Sequence, residues 1–177
     1  CFSFYANKNM ATGEGGMVIA RREEDIHRIK TLALHGMTND AWHRFGNKGF
    51  RHYQVTEVGF KYNMMDLQAA IGLHQLQRLE RNWLRRRYIW MEYQNAFADL
   101  YVTRPAASAE GTRHGHHLYT FQFDPESCGL HRDDALDMMT EAHIGVGVHY
   151  CAIPEYPFYQ RQFGWKPEHY PNAIRIG

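Results

Sequence analysis

Cys1-Phe2-Ser3-Phe4-Tyr5-Ala6-Asn7-Lys8-Asn9, continued by Thr12-Gly13-Glu14-Gly15-Gly16 and Met17-Val18-Ile19-Ala20, is the stretch on which the fold turns. Two short runs of strand composition flank a polar, turn-rich connection from Asn7 to Glu14, so Lys8 is expected in a loop gripped by two strands. A lysine there can condense with an aldehyde once it is partly desolvated or set beside another positive group, because either effect frees the amine lone pair. Nearby glycines and hydroxyls can bring backbone N–H and O–H donors to a phosphate. By residue type alone the signal is weak. A lysine in a turn is usually a solvent-facing charge, and Gly13, Gly15 and Gly16 serve tight turns equally well. The spacing also fails the nucleotide-binding loop G-x-x-x-x-G-K-S/T.

Downstream, residues 22 to 35 read as a helix with Ile26, Ile29, Ala33 and Leu34 on one face, ended by His35-Gly36. Residues 38 to 61 show no period and carry Trp42, Phe45, Phe50 and Tyr53. That is a long loop, either a functional element that keeps water from a site or an aromatic excursion packed on the core. A strong helical pattern follows. Asn63 is a candidate cap with Asp66 three residues on, and Leu67, Ala70, Ile71, Leu73, Leu76 and Leu79 recur at spacings of three and four. The period continues through Trp83, Leu84, Ile89, Tyr93 and Phe97, with Asn82 as a candidate bend and Arg81, Arg85, Arg86 and Arg87 expected on the wetted side. Such a helix is expected to cross the protein or a subunit interface.

The composition shifts at Arg104 to Gly115, around Pro105, Ala106, Ala107 and Ser108, which makes this the candidate junction between residues 1–104 and 105–177. Beyond it, strand (118–123), helix (132–142) and strand (146–150) spell a small α/β or α+β unit. Twenty basic against nineteen acidic residues leave +1, so no bulk field points to nucleic acid or an anionic membrane. No run of about eighteen apolar residues offers a membrane span. Cys1, Cys128 and Cys151 are odd in number and contain no CxxC pair, which argues for a reducing compartment. Both ends look cut, inside a strand-like run at Cys1 and at Ala173-Ile174-Arg175-Ile176-Gly177.

Three blocks in order carry a family resemblance. The Cys1–Asn9 run with Gly13-Glu14-Gly15-Gly16 resembles the cofactor-lysine signature of the DegT/DnrJ/EryC1/StrS group, the fold-type-I aminotransferases that aminate nucleotide-linked keto sugars. Gly59-Phe60-Lys61-Tyr62-Asn63-Met64-Met65-Asp66-Leu67-Gln68-Ala69-Ala70-Ile71-Gly72 is similar to the second signature, and Gly145-Val146-Gly147-Val148-His149-Tyr150, near Pro157-Phe158-Tyr159, to a third. The likeness extends through His35-Gly36, Asp40-Ala41-Trp42 and Cys128-Gly129-Leu130, and this wider pattern resembles most the branch that aminates UDP-4-keto-pentose to UDP-4-amino-4-deoxy-L-arabinose for lipid A modification. It departs at Tyr5, where many members have histidine, and at Pro154, where a second histidine is common. These departures bear on the substrate more than on the cofactor.

The resemblance implies an α/β chain that is part of a fold-type-I pyridoxal-phosphate transferase: the end of the large domain with its interface helices, then an incomplete small C-terminal domain. It implies that Lys8 binds pyridoxal 5'-phosphate covalently and, once the donor glutamate displaces it, relays a proton between donor and cofactor. Ser3 is expected to donate to the cofactor phosphate and Asn63 to reach the phosphate of the second subunit of a homodimer with shared active sites. His149, Tyr5 and Lys61 fall on the substrate side. Glutamate, 2-oxoglutarate and a keto-sugar nucleotide are the implied ligands, with no nucleic acid, no membrane span and a cytoplasmic location.

The resemblance places three further parts before Cys1: an acidic partner for the pyridine nitrogen, an aromatic residue stacked on the ring and a glycine-containing phosphate turn. More of the small domain would follow Gly177. Without that shell the segment by itself is expected to lack efficient transamination. A related dehydratase would carry histidine at the Lys8 position, so Lys8 favours transfer. The reading from a different class is a non-catalytic remnant that binds a sugar nucleotide or dimerises through residues 64–99. His114, His116 and His117 invite a metal reading, but no acidic or thiol partner is placed with them, and no metal is expected. His117 also matches a family position beside the small-domain strand, for which packing or contact with the active-site mouth is expected.

Overall fold

In the computed structural model, which describes residues 1–38 and 53–177, the opening segment folds back on itself as a short antiparallel pair. β1 (Phe2–Ser3) pairs with β2 (Gly16–Met17) in the register Phe2 to Met17 and Ser3 to Gly16. The strands are shorter than the apolar runs. Lys8 nevertheless lies in the connection between them, as its flanking pattern requires.

The first helix, α1 (Glu23–Ala33), begins with Glu23, Glu24 and Asp25, whose charges favour the positive end of the helix dipole. Arg22 at the N-cap donates from Nε and a terminal nitrogen to the two Asp25 oxygens, at 2.9 and 2.6 Å. The helix stops because His35 and Gly36 take left-handed φ values of 57 and 70°. Backbone bonds then lace its end to the segment 54–62: His35 N–H to Phe60 O (2.8 Å), Phe60 N–H to Leu32 O (2.7 Å), Tyr62 N–H to Ala33 O (2.8 Å) and Thr56 N–H to Gly36 O (2.9 Å). Leu34 and Met37 are buried at this seam. The aromatic loop suspected of excluding water, Trp42 to Tyr53, falls outside the described residues except for Tyr53.

α2 (Asp66–Ala96) is one continuous helix of 31 residues, without a break at Asn82. Its start corrects the capping expectation. Asn63 lies before the cap position, and its Oδ1 accepts from Lys61 Nζ. The cap is Met65, whose N–H donates to Gln68 Oε1 at 3.0 Å, which is half of a capping box.

The covered face of α2 also differs from the leucine pattern. Leu67, Leu73, Leu76 and Leu84 are 70, 68, 54 and 58% exposed. The shielded positions run Gln68, Gly72, Gln75, Leu79, Trp83, Arg86, Trp90 and Gln94, also at spacings of three and four. Arg86, expected in solvent, is therefore half-buried. Hydrophobicity ranks residues by their cost in water, but a helix is covered where a neighbour exists, and among the described residues that neighbour lies one step round from the leucines.

Two compact units emerge, Cys1–Tyr88 with Gly115–His117, and Ile89–His114 with Leu118–Gly177. In the second, β3 (Val102–Thr103) pairs antiparallel with β4 (Gln122–Phe123). Of the expected strand over 118–123 only the last two residues are paired. Tyr119 is instead an aromatic hub, with ring centroids 4.8 Å from Trp90, 5.2 Å from Tyr93 and 5.5 Å from Phe121. Burial pushes its phenol pKa above the ordinary 10.0, partly offset by the Arg104 guanidinium. α3 (Pro125–Cys128) is capped by Asp124 and closed by Gly129, and α4 (Arg132–Glu141) falls where the helix was expected. Residues 146–150 do not form the expected strand, because no described segment offers them a ladder. α5 (Pro157–Phe163) and α6 (Pro171–Ile176) follow, and Tyr159 stacks on Trp165 at 5.5 Å. Among the described residues no helix is long and apolar enough to cross a membrane.

Gly36 tests the seam. A Cβ on it would come 1.8 Å from Glu57 O, at a φ that also disfavours a side chain. Gly36→Ala in the full-length protein is expected to lower stability to denaturant by more than about 2 kcal/mol. An unchanged midpoint and slope would show that the two segments can part at no cost.

Candidate active site around Lys8

The connection that carries Lys8 is shaped by its own backbone. Phe4 N–H donates to Gly15 O and Thr12 N–H to Phe4 O, both at 2.9 Å, while Lys8 N–H closes a turn onto Tyr5 O at 2.9 Å. Thr12 is 5% exposed, and its hydroxyl donates to Glu14 O at 2.7 Å, so the buried oxygen is satisfied. Gly15, at φ 144°, leaves room for this arrangement: a Cβ would sit 2.8 Å from Thr12 Oγ1 and 3.0 Å from Met64 Cε.

α2 holds the loop from below. Gln68 Nε2 donates to Glu14 O at 2.9 Å, so one side chain both caps the helix and anchors the loop. One turn on, Gly72 is the buried residue of the helix, and a Cβ there would come 3.2 Å from the Thr12 methyl and 3.5 Å from Met10 Cε. A glycine lets the loop lie this close without the Thr12 methyl having to give way.

Lys8 is half-buried and enters none of the ion pairs of the described residues. Its Nζ lies 3.4 Å from His117 Nε2. Neighbouring Asn9 donates from Nδ2 to Gly115 O, and its Oδ1 is buried without a hydrogen-bond partner. Ser3 is exposed, and its hydroxyl accepts a long contact of 3.4 Å from Tyr5 N–H, which leaves the O–H proton for an anion. Tyr5 is 47% exposed. Lys61 and Asn63 are joined to each other, and because the Asn63 oxygen is occupied, its Nδ2 donors remain for another acceptor. All of these lie in the first unit. His149, exposed and 4.7 Å from the Tyr150 ring, lies in the second.

Sequence reasoning found Lys8 but missed what supports it. Gln68 and Gly72 stood inside the second quoted block without a role, and Arg86 was read as a surface charge. Among the described residues no cluster of three or more histidines, cysteines or acids could hold a metal. The parts present suit an aldehyde cofactor with a phosphate: an amine with no carboxylate partner among the described residues, a hydroxyl donor and an amide donor.

The chain superposes on the putative sugar aminotransferase Spr1654 from Streptococcus pneumoniae, in its PMP form, with a TM-score of 0.79 at 29% identity over 99% of this chain and 43% of that one. It superposes on Helicobacter pylori PseC, an aminotransferase involved in the biosynthesis of pseudoaminic acid, with a TM-score of 0.81 at 26% identity over 99% and 45%. The fold is therefore that of the fold-type-I pyridoxal-phosphate transferases, of which this chain represents part. The DegT/DnrJ/EryC1/StrS aminotransferase model matches residues 1–177, and the chain belongs to that family, whose cofactor is pyridoxal phosphate. The spore coat polysaccharide biosynthesis protein SpsC of Bacillus subtilis is 44% identical over 175 residues, 98% of this chain and 45% of that protein. The chain spans about half the length of the curated relatives it matches.

The double role of Gln68 makes it a sensitive position. Gln68→Ala should speed amide exchange of the Phe4–Gly15 loop about tenfold in the full-length protein, the equivalent of about 1.4 kcal/mol and one lost hydrogen bond, while α1 exchanges as before. Unchanged exchange in the loop would mean that Glu14 needs no such anchor.

Proposed function

We propose that the protein to which this chain contributes is a pyridoxal-phosphate-dependent aminotransferase that moves an amino group from glutamate to the carbonyl carbon of a nucleotide-linked 4-keto sugar. The observation that carries this reading is Lys8: a half-buried amine with no carboxylate partner among the described residues, in the block that resembles the family's cofactor-lysine signature. When bound, the cofactor supplies the electron sink that weakens the C–H bond of the amino donor. Lys8 anchors it through its amine and, once released, carries the proton at Nζ between the donor carbon and the cofactor. The Ser3 hydroxyl and the Asn63 Nδ2 donate to phosphate, Asn63 to that of the second subunit. His149, Tyr5 and Lys61 orient the sugar nucleotide. Over the cycle glutamate becomes 2-oxoglutarate and the sugar carbonyl becomes an amine, so nitrogen and oxygen change places between the two substrates.

We assign residues 1–104 to the large domain and 105–177 to the small one. The exposed leucines of α2 support a homodimer with shared sites, because burying each such side chain contributes about 1.5–3 kcal/mol. A cytoplasmic location goes with this reading. For the sugar, the wider motif pattern favours UDP-4-keto-pentose, and with it lipid A modification and lipopolysaccharide biosynthesis. A second reading has its own support: the 44% identity to a spore coat polysaccharide protein, with the departures at Tyr5 and Pro154, favours a different keto-sugar nucleotide.

The test uses the full-length protein with pyridoxal phosphate. Borohydride reduction should fix the cofactor on Lys8, and Lys8→Ala should abolish the adduct and lower turnover on the order of a thousandfold or more. An equally strong reduced adduct in the variant would overturn the assignment. Half-reactions with a panel of keto-sugar nucleotides then decide between the two sugar readings.

A further inference from the structure

We infer that His117 is a positioning residue for the Lys8 amine and that Arg86 holds it in place; this rests on Lys8 being the cofactor lysine. The two side chains meet across 109 sequence positions, with Nζ 3.4 Å from Nε2. Toward a charged lysine, which offers donors and no acceptor, the facing imidazole nitrogen would present its lone pair. A deprotonated amine has two N–H bonds and one lone pair. Engaging one N–H restricts rotation about Cε–Nζ and so limits the directions in which the lone pair can attack. At 3.4 Å the bond is longer than the usual range, so it biases the rotamer rather than locking it.

The histidine reaches Lys8 on a three-residue strap, Gly115 to His117, which groups with the first unit although the residues on either side of it belong to the second. Two side-chain donors hold the main chain of this strap through three hydrogen bonds. Asn9 Nδ2 donates to Gly115 O, and one Arg86 nitrogen donates to His116 O at 3.4 Å and His117 O at 3.2 Å. His116 takes the left-handed φ of 47°, uncommon for a residue with a side chain, and its ring lies 5.8 Å from Trp83. Trp83 and Arg86 are three apart on α2 and so share a face. The helix that supports the Lys8 loop through Gln68 and Gly72 thus also holds the strap through Trp83 and Arg86. Because these hydrogen bonds end on main-chain carbonyls, replacing the His117 side chain leaves the strap attached.

The experiment compares two ligands in the full-length apoprotein. Pyridoxal phosphate links to the amine with its aldehyde oxygen leaving as water, whereas pyridoxine 5'-phosphate, which has an alcohol in place of the aldehyde, can only bind. His117→Leu should slow linkage, followed by absorbance and fixed with borohydride, about threefold to tenfold, the span expected for one hydrogen bond. Affinity for pyridoxine 5'-phosphate should stay at the wild-type value. His117→Gln, which keeps an acceptor, should recover most of the rate, and Arg86→Met should slow linkage in the same sense. A wild-type linkage rate in His117→Leu, with the reduced adduct on Lys8, would overturn the inference and leave the function standing. Equal losses of linkage and pyridoxine 5'-phosphate binding would also overturn it, by showing a purely structural role. A wild-type adduct on some other lysine would overturn both.

Discussion

The closure of the Phe4–Gly15 loop is the constraint on which the rest of the site depends. Two backbone bonds, from Phe4 to Gly15 and from Thr12 to Phe4, fold a dozen residues onto themselves, and the Thr12 hydroxyl satisfies Glu14 inside. These bonds satisfy the main-chain groups of Phe4 and Thr12 at the buried points of the loop, where water would otherwise be needed. The helix in turn contributes a gap at Gly72 and a donor at Gln68, four residues apart and therefore on one face. Lys8 stands on a platform set by main-chain bonds together with the Thr12 and Gln68 side chains.

In the role proposed for Lys8, a cofactor lysine must be held without being consumed. An ion pair with a carboxylate would keep the amine charged and occupied, and none is present among the described residues. An imidazole nitrogen is a milder partner, able to contact the amine without the fixed charge of a carboxylate. The architecture around Lys8 thus combines a stiff loop with a soft contact at the reacting atom. That combination suits a residue that must leave its partner and return during each turnover.

The leucines of α2 show the opposite situation, a strong apolar signal without a cover among the described residues. Within the first unit the helix turns Gln68, Gly72, Trp83 and Arg86 toward its neighbours. Polar side chains are covered there because each has a main-chain group or a ring to meet. The leucines gain nothing until a large apolar surface arrives, which is the physical content of the dimer proposal.

The sequence by itself determined the family and the cofactor, and it singled out Lys8 for the role proposed here, because Lys8 and its glycines stand in a local pattern that survives without any knowledge of contacts. It also determined α1, α2 and α4, whose apolar periods and stop signals are local properties of the chain. Only the tertiary structure decided that Arg86 is shielded and that residues 146–150 lie unpaired. It alone brought His117 to Lys8, from a run of histidines that looked like packing or a contact at the site's mouth. The reason is range: turns and helix ends are written in neighbours three or four residues apart, whereas the partners of an amine 109 positions away depend on how a helix, a loop and a strap come to share one surface.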